Sequence, residues 1–177
     1  IINTATASID YDLSMAGLVK SIMPNCKTAC IGIHVTVLDK KCLETIPCLD
    51  FIIRGEPEKT ITELAKAIKN KEDISNIEGI TYVERNEIIQ NKDRKLIQDL
   101  DELPFPAWHL INVNNYKVPI KGKPFLLVTT GKGCPYKCTF CPAEPYYGKM
   151  LRIRDPLKVV DELQWIKERF NVEDFLI

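Results

Sequence analysis

The sequence predicts an α/β fold in which short buried strands alternate with amphipathic helices. From residue 1 to about residue 59, brief apolar runs alternate with segments of helical periodicity, which is the pattern of parallel βαβ units. Further along, a continuous apolar run from Phe125 to Thr130 is typical of a strand buried on both faces of a parallel sheet. These two observations together predict the fold class.

Strands and a helix are predicted before residue 55. The first strand is predicted over Ile1 to Ala7. A helix follows and ends before Pro24. The apolar residues that recur at helical spacing in it are Met15, Leu18, Val19 and Ile22. Further buried strands are predicted over Cys30 to Val37 and over Phe51 to Arg54.

A second helix and a β-hairpin are predicted next. The helix begins at Glu56-Pro57, because proline is favoured in the first helical turn. Residues Gly79 to Glu84 and Glu87 to Asn91 are predicted to pair as the strands of a hairpin. The turn between them falls at Arg85-Asn86.

A proline-rich linker is predicted at 99–123. Periodicity disappears there, and prolines accumulate together with Trp108 and Tyr116. We expect the aromatic side chains to pack this linker against a domain. After the buried strand that starts at residue 125, Asp155-Pro156 is predicted to cap a helix, and Phe175 to begin another strand.

The composition is that of an ordinary globular protein. The 177 residues include 24 basic and 24 acidic side chains, and 45% are hydrophobic, which excludes intrinsic disorder and collagen-like repeats. No apolar run approaches the roughly 20 residues that span a bilayer, so no membrane span is expected. The balanced charge gives no overall attraction to nucleic acid, which is not expected as a partner. Because the sequence starts without an initiator Met, we expect it to be part of a longer protein.

The seven cysteines fall into two groups. Seven is an odd number and too few for a dense disulfide framework, so a reducing cytoplasm is expected. Some cysteines stand singly among apolar residues, where a free cysteine usually acts as a small buried hydrophobe, and these are Cys26, Cys30, Cys42 and Cys48. The other three, Cys134, Cys138 and Cys141, lie within eight residues.

The close spacing of these three cysteines favours an iron–sulfur cluster. A short loop lets three thiolates point at one centre and hold three irons of a cubane cluster. A structural zinc site normally needs four Cys or His ligands, but no fourth Cys lies near, and His109 is 25 residues upstream of Cys134. We therefore expect Cys134, Cys138 and Cys141 to bind a 4Fe-4S cluster in which one iron stays open to a further ligand.

These residues resemble the motif of a known superfamily. Cys134, Cys138, Phe140 and Cys141 match the pattern C-x3-C-x-aromatic-C of the radical S-adenosylmethionine enzymes. The resemblance implies that the open iron binds S-adenosylmethionine, with Phe140 packed near the adenine. It also implies that reduction of the cluster cleaves the sulfonium to release a 5′-deoxyadenosyl radical. The electron would come from an external donor such as flavodoxin or ferredoxin.

The amino-terminal part resembles the subgroup of this superfamily that has a cobalamin-binding domain. The matching segments are Gly32-Ile-His34-x-Thr36, Pro47-x-Leu49-Asp50-Phe-Ile-Ile-Arg-Gly55-Glu56-Pro-Glu58-x-Thr60 and Leu103-Pro-Phe-Pro106-Ala-Trp108. The resemblance implies a doubly wound parallel sheet with cobalamin over the carboxyl ends of its strands. The residues that it places near the corrin are Thr6, Ser8, Gly32 and Gly55. The D-x-H-x-x-G motif, which supplies the lower axial His in many cobalamin proteins, does not occur in the sequence.

The resemblance also implies a domain organisation and a reaction. A partial cobalamin-binding domain would occupy 1–98, followed by the linker and by the first βα unit or units of a partial TIM-type barrel at 124–177. Such a barrel needs six units, on the order of 180 residues, so this part of the enzyme alone is expected to be inactive. The parent enzyme would methylate a small molecule through methylcobalamin or close a ring oxidatively. The substrate is not identified, and no catalytic residue is assigned.

Two other classes of protein stay open. An iron–sulfur electron-transfer module would need a fourth Cys ligand and would not respond to S-adenosylmethionine. A non-catalytic zinc-binding or interaction module would hold zinc without sulfide. Metal and sulfide content, together with the response to S-adenosylmethionine, distinguish these classes from the radical enzyme.

Overall fold

The computed structural model describes residues 1–119 and 121–177 of the protein. Position 120, which falls within the predicted linker, lies outside the described residues. In the part of the chain that the structure describes, no helix has the length and apolar character needed to cross a membrane.

Contacts between residues divide the chain into two compact units. The first unit comprises Ile1–Leu96 together with Cys134–Lys149. The second unit comprises Ile97–Gly133 together with Met150–Ile177. The loop with the three cysteines thus belongs to the first unit, although it follows a strand of the second. The domain boundaries drawn from the sequence stay a prediction.

The first unit is built on a mixed β-sheet. Its strands are β1 (Ile2–Asn3), β2 (Ala29–Ile31), β3 (Phe51–Ile53), β4 (Ile80–Glu84) and β5 (Glu87–Gln90). Its helices are α1 (Ile9–Ile22), α2 (Ile33–Val37), α3 (Asp39–Thr45), α4 (Pro57–Asn70) and α5 (Ala143–Tyr147). The strand order is β1-β2-β3-β4-β5, in which β1, β2 and β3 run parallel and the two following pairs are antiparallel.

Helices cover both faces of this sheet. On one face the cluster around Ile52 includes residues of α1, α2 and α3, namely Leu13, Ala16, Val35, Cys42 and Leu43. On the other face Leu64 of α4 lies in a second cluster with Phe51 and Ile53. Because successive residues of a strand point to opposite faces, β3 contributes to both cores. The predicted α/β class is confirmed, with helices on both faces of a sheet that is parallel over β1, β2 and β3 and antiparallel beyond them.

Buried cysteines form part of the first core. Cys30 and Cys42 are buried in the cluster around Ile52, as expected for small hydrophobes. Burial, with a smaller contribution from Cys42, raises the pKa of the Cys30 thiol to about 12. Because the thiolate is the reactive form, Cys30 is chemically inert at neutral pH.

Two predicted strands differ from the structure in extent. The strand predicted over Ile1 to Ala7 ends at Asn3 and is followed by a 3₁₀ turn at Thr6–Ser8. The strand predicted over Cys30 to Val37 ends at Ile31, because Gly32 takes a φ of 125° and the chain then turns into α2. Val35 is buried from a helix rather than from a strand. Tertiary packing therefore outweighs the β propensity of this segment.

The predicted hairpin is confirmed. β4 and β5 pair antiparallel, with Glu84 opposite Glu87. The turn residues Arg85 and Asn86 have φ values of 48° and 66°. Two consecutive positive φ values are the mark of a type I′ turn, whose twist matches that of the strands.

A buried ion pair holds the chain where β3 ends. The guanidinium of Arg54 lies 3.6 Å from the Asp39 carboxylate and 2.8 Å from that of Asp93. The same Asp39 oxygen accepts hydrogen bonds from Thr81 at 2.5 Å and from Gln90 at 2.6 Å. A buried charge without partners would cost several kcal/mol. The network therefore fixes the position from which the chain leaves β3.

At the amino-terminal edge of the sheet, Asp50 joins several elements. Its carboxylate lies 2.6 Å from the Lys20 ammonium near the end of α1 and 3.0 Å from that of Lys27. It also accepts a hydrogen bond from the backbone N–H of Thr28, at 2.8 Å. Burial raises the pKa of Asp50, but the hydrogen bonds from Lys20, Thr28 and Lys27 outweigh burial and hold the pKa below its ordinary value.

The second unit contains parallel and antiparallel strand pairs. Its strands are β6 (Phe125–Leu127), β7 (Gly131–Lys132), β8 (Arg152–Ile153) and β9 (Asp174–Leu176), and its helix is α6 (Pro156–Phe170). β6 pairs parallel with β9, and β7 pairs antiparallel with β8. Asp155 caps α6 as predicted, since its carboxylate accepts a hydrogen bond from Leu157 N–H at 2.8 Å.

The segment predicted as a linker packs within the second unit. Its 3₁₀ turns lie at Leu100–Glu102, Trp108–Leu110 and Val113–Asn115. Phe105 contacts the ring of Trp165 at a centroid distance of 5.9 Å, and Trp108 packs against the core that contains Leu126 and Val128. The expected packing by aromatic side chains is confirmed for Phe105 and Trp108, whereas Tyr116 is exposed.

Candidate functional site

The carboxyl ends of β1, β2 and β3 meet at one edge of the sheet in the first unit. The four residues that the resemblance places near cobalamin all follow these strands. Thr6 and Ser8 lie in the turn after β1, Gly32 directly follows β2, and Gly55 comes two residues after β3. Open α/β sheets bind their ligands at this edge. We refer to Thr6, Ser8, Gly32 and Gly55 as the carboxyl edge.

Two parallel strands approach each other closely at Gly32. Its φ of 125° is one that side chains disfavour, and a Cβ at this position would lie 2.3 Å from the carbonyl oxygen of Thr4. Thr4 itself is held, because its N–H and its hydroxyl both donate to the carbonyl of Ile31, at 2.9 and 2.8 Å. Glycine is therefore required at position 32.

Side chains of α2 connect the loops of the carboxyl edge. The Thr36 hydroxyl donates to the carbonyl of Gly32 at 2.8 Å and accepts from the N–H of Gly55 at 3.0 Å. The His34 ring nitrogen Nδ1 lies 3.3 Å from the Thr6 hydroxyl. Among the described residues, no atom lies within 4 Å of where a Cβ of Gly55 would be. Gly55 is half-buried and thus leaves open space for an approaching ligand, whereas Gly32 is buried against Thr4 and shapes the edge from below.

The three-cysteine loop (residues 134–149) begins directly after the second unit's Gly133. Its start is closed by a hydrogen bond from Cys134 N–H to Gly148 carbonyl, at 3.1 Å. A tight turn follows, in which Cys141 N–H donates to the carbonyl of Cys138, also at 3.1 Å. Cys138 and Cys141 are exposed, Cys134 is half-buried, and all three thiols are free.

The donor set of this loop fits an iron–sulfur cluster in its chemistry. Free thiols on one short, exposed loop are the ligands that such clusters use. In the structure as described, no group of three or more Cys, His, Asp or Glu side chains is arranged to hold a metal ion. Gathering the three thiols around one centre therefore requires the loop to close. Phe140, between the last two cysteines, is 88% exposed and free to pack on a ligand.

The three-cysteine loop returns to the carboxyl edge through α5. This helix packs against α2, which begins directly after Gly32. Tyr146 of α5 is buried and meets the ring of Tyr147 edge to face, at a centroid distance of 4.6 Å. Burial, followed by the charges of Tyr147, Glu58 and Glu56, raises the pKa of Tyr146 to about 12. The three-cysteine loop and the carboxyl edge thus lie in one compact unit.

We expect Tyr146 to ionise late and to make the protein sensitive to alkali. The folded state keeps a proton that the unfolded chain releases near pH 10, so the contribution of Tyr146 to stability is complete below pH 10. It is lost as the pH rises from 10 to about 12. The pKa of Tyr82 is also raised by burial, so ultraviolet titration of the phenolates should show more than one late component, and Tyr146→Phe should remove the one near pH 12. Tyr11→Phe, at an exposed position, should leave that component unchanged.

Several residues of the site were not identified from the sequence. His34 and Thr36 belong to a segment that resembles the cobalamin-binding subgroup, but the strand predicted there gave them no role. The position of Tyr146 depends on the return of a distant loop, which no local pattern reveals. The adjacent aromatics Tyr146 and Tyr147, closely following the cysteines, were the available signal.

The chain resembles known proteins over nearly its whole length, although no protein-family model matches it. It is 33% identical to an uncharacterised methyltransferase of Pyrococcus horikoshii, over 97% of this chain and 37% of the relative. It is 31% identical to the anaerobic magnesium-protoporphyrin IX monomethyl ester cyclase of Cereibacter sphaeroides, over 88% of this chain and 26% of the relative. It is 29% identical to the cobalamin-dependent radical SAM methyltransferase TokK of Streptomyces tokunonensis, over 93% of this chain and 24% of the relative.

Solved structures show the same fold. The cobalamin-dependent S-adenosylmethionine radical enzyme OxsB, with aqua-cobalamin and S-adenosylmethionine bound, matches 97% of this chain with a TM-score of 0.75 and 22% identity. The radical S-adenosylmethionine methyltransferase TsrM of Kitasatospora setae, with cobalamin and a [4Fe-4S] cluster bound, matches 96% with a TM-score of 0.64 and 18% identity. The match covers 24% of OxsB and 35% of TsrM.

These likenesses agree with the resemblance noted in the cysteine motif and in the amino-terminal segments. The chain spans between 24% and 37% of the length of the three relatives. The relatives include both methyltransferases and a cyclase. The chain is thus homologous to the cobalamin-dependent radical S-adenosylmethionine methyltransferases and cyclases.

Proposed function

We propose that the protein is a radical S-adenosylmethionine enzyme whose 4Fe-4S cluster is bound by Cys134, Cys138 and Cys141. The observation that carries this proposal is the presence of three free thiols within eight residues, two of them exposed, on one loop. Three thiolates satisfy three irons and leave one iron for a further ligand. In this proposal that ligand is S-adenosylmethionine, and the exposed Phe140 packs near its adenine.

We propose cobalamin as the second cofactor, at the carboxyl edge. Gly55 presents backbone without a side chain there, the buried Gly32 allows β1 and β2 to approach each other, and Thr6 and Ser8 are exposed in the turn after β1. The three-cysteine loop reaches the same unit through the packing of α5 on α2. The role of the protein is to hold the two cofactors close to each other and away from water and oxygen.

The reaction class follows from the relatives. Both methyl transfer and ring closure occur among them, and we propose that the whole protein performs one of these on a small-molecule substrate. When bound, the cluster supplies the electron that cleaves S-adenosylmethionine, and cobalamin supplies the methyl group for transfer. An external donor such as flavodoxin or ferredoxin would provide the electron. The free thiols suit a reducing compartment, which we propose to be the cytoplasm.

Anaerobic reconstitution with iron and sulfide tests the cluster. We expect about four irons and four sulfides per chain. The electron paramagnetic resonance signal of the reduced cluster should change when S-adenosylmethionine is added, because the open iron gains a ligand. Incubation with hydroxocobalamin should leave a corrinoid bound after gel filtration.

The same experiment separates the other classes of protein. A cluster whose spectrum ignores S-adenosylmethionine would indicate an electron-transfer module. About one zinc without sulfide would indicate a zinc-binding module. Either result contradicts the proposed function.

A further inference from the structure

A buried ion pair joins the residue that follows β8 to α6 in the second unit. The guanidinium nitrogen Nη1 of Arg154 lies 2.6 Å from Oε2 of Glu162, whose side chain is only 1% exposed. The other carboxylate oxygen accepts a hydrogen bond from the indole N–H of Trp108, at 3.2 Å. Both oxygens of Glu162 therefore have donors, which a buried carboxylate requires.

Arg154 also binds the backbone that leads toward the three-cysteine loop. Its Nη1 donates to the carbonyl of Thr129 at 3.0 Å, and its own N–H donates to the carbonyl of Thr130 at 2.9 Å. These two threonines lie between β6 and β7. A planar guanidinium can meet a carboxylate and a carbonyl at once, whereas an ammonium is a point charge with no fixed fork.

The two ends of the loop meet directly beyond this contact. β7 pairs with β8, with Gly131 opposite Ile153 and Lys132 opposite Arg152. At Gly133 the approach is so close that a Cβ would lie 2.0 Å from the carbonyl oxygen of Met150. We call this closed base, Gly131–Gly133 with Met150–Ile153, the neck of the loop. Arg154 is the residue that follows the neck, and Thr130 is the residue that precedes it.

We propose that Arg154, held by Glu162 and Trp108, is a positioning residue that keeps the neck closed and so sets the geometry in which the three thiols meet a cluster. The second part of this statement rests on the proposed function. The guanidinium of Arg154 acts through the carbonyl of Thr129, whereas the bond to Thr130 comes from the main-chain N–H of residue 154 and should persist in the variants. This gives Trp108, which the sequence marks in the segment Leu103 to Trp108, a role beyond packing.

Hydrogen exchange on the intact protein without iron tests the first part. The variants are Arg154→Ala, Arg154→Lys and Trp108→Phe, the last of which keeps an aromatic ring and removes one donor. Losing a hydrogen bond to a charged partner should speed amide exchange at 130–133 by roughly tenfold in Arg154→Ala. Arg154→Lys should restore part of the protection, and Trp108→Phe should give a smaller increase.

A matched control comes from the exposed pair Lys167–Glu173, at 3.1 Å. Lys167→Ala, on the same helix as Glu162, should leave exchange at 130–133 unchanged. If Arg154→Ala is folded and exchanges there at the wild-type rate, the proposal is wrong. If Arg154→Ala does not fold, Trp108→Phe serves as the test. Amide exchange at 130–133 at the wild-type rate in Trp108→Phe would also contradict the proposal.

Reconstitution tests the second part. We expect Arg154→Ala to load less than half of the wild-type iron under equal conditions, or to lose the spectral response to S-adenosylmethionine, with partial rescue in Arg154→Lys. A variant with faster amide exchange at the neck but wild-type iron content and a wild-type spectral response to S-adenosylmethionine would contradict the link between neck and cluster. If the wild-type protein binds no iron, the proposed function is wrong, and so is the link between neck and cluster. The hydrogen-exchange result would still show whether Arg154 keeps the neck closed.

Discussion

Replacing Cys138 by alanine is expected to abolish cluster assembly. Each of the three thiolates satisfies one iron, and a methyl group cannot replace a ligand. The exposed position of Cys138 means that the substitution removes no core packing, so the fold should be intact. Iron content after anaerobic reconstitution should fall from about four per chain to less than about one, with loss of the sulfur-to-iron charge-transfer absorption.

Cys42→Ala is the control for this experiment. Cys42 is buried in the core of the first unit and is not part of the three-cysteine loop. Its replacement removes one sulfur from a packed core and should cost about 1 kcal/mol of stability, but it should leave iron binding intact. Equal loss of iron in both variants would contradict the assignment of the loop as the cluster site.

Gly32→Ala is expected to destabilise the first unit strongly. The new Cβ would lie 2.3 Å from the Thr4 carbonyl oxygen and 2.8 Å from the Thr4 hydroxyl oxygen. Neither atom can move easily, because Thr4 is hydrogen-bonded to Ile31. The strained φ and the clash together should cost about 3 to 5 kcal/mol, measured as a shift of the urea unfolding midpoint.

Gly55→Ala measures the cost of a positive φ in the absence of a steric clash. Gly55 also has a positive φ, at 68°, but no described atom lies near its Cβ position. We expect this variant to lose only about 1 kcal/mol, the cost of a left-handed conformation for alanine. If the two variants are equally stable, the close approach of β1 and β2 at Gly32 is wrong. Corrinoid retention should fall more in Gly32→Ala, since the carboxyl edge is then rearranged.

Local signals in the sequence predicted the elements whose ends are set locally. The hairpin turn at Arg85-Asn86 and the cap at Asp155 lie where they were expected, because turn and cap chemistry depends on adjacent residues. The three cysteines were likewise identified from spacing alone. These features need no knowledge of the rest of the fold.

Elements decided by distant contacts were predicted less well. The strand expected over Cys30 to Val37 has alternating β-branched residues, but Gly32 must turn beside Thr4 and Val35 is buried from a helix. In α1 the buried residues are Leu13 and Ala16, whereas the predicted Leu18 and Ile22 are exposed. Which helix face is buried depends on the sheet beneath it, and periodicity alone does not specify that.

The polar networks were not predicted at all. Arg54 with Asp39, and Arg154 with Glu162, join residues far apart in the sequence. Each of these side chains alone looks like an ordinary surface charge. Only the fold shows that they are buried and paired.

The link between Asp50 and the lysines around it contributes to the acid tolerance of the first unit. Since the pKa of this carboxyl lies below its ordinary value in the folded protein, its contribution to stability is present at neutral pH and disappears as the solution becomes strongly acidic. Asp50 sits at the amino-terminal edge of the sheet, opposite the strand ends proposed to meet the corrin. The acid-sensitive carboxylate and the proposed corrinoid site therefore lie at opposite edges of one sheet, so we expect Asp50→Asn to change acid tolerance without altering the residues proposed to bind the corrinoid.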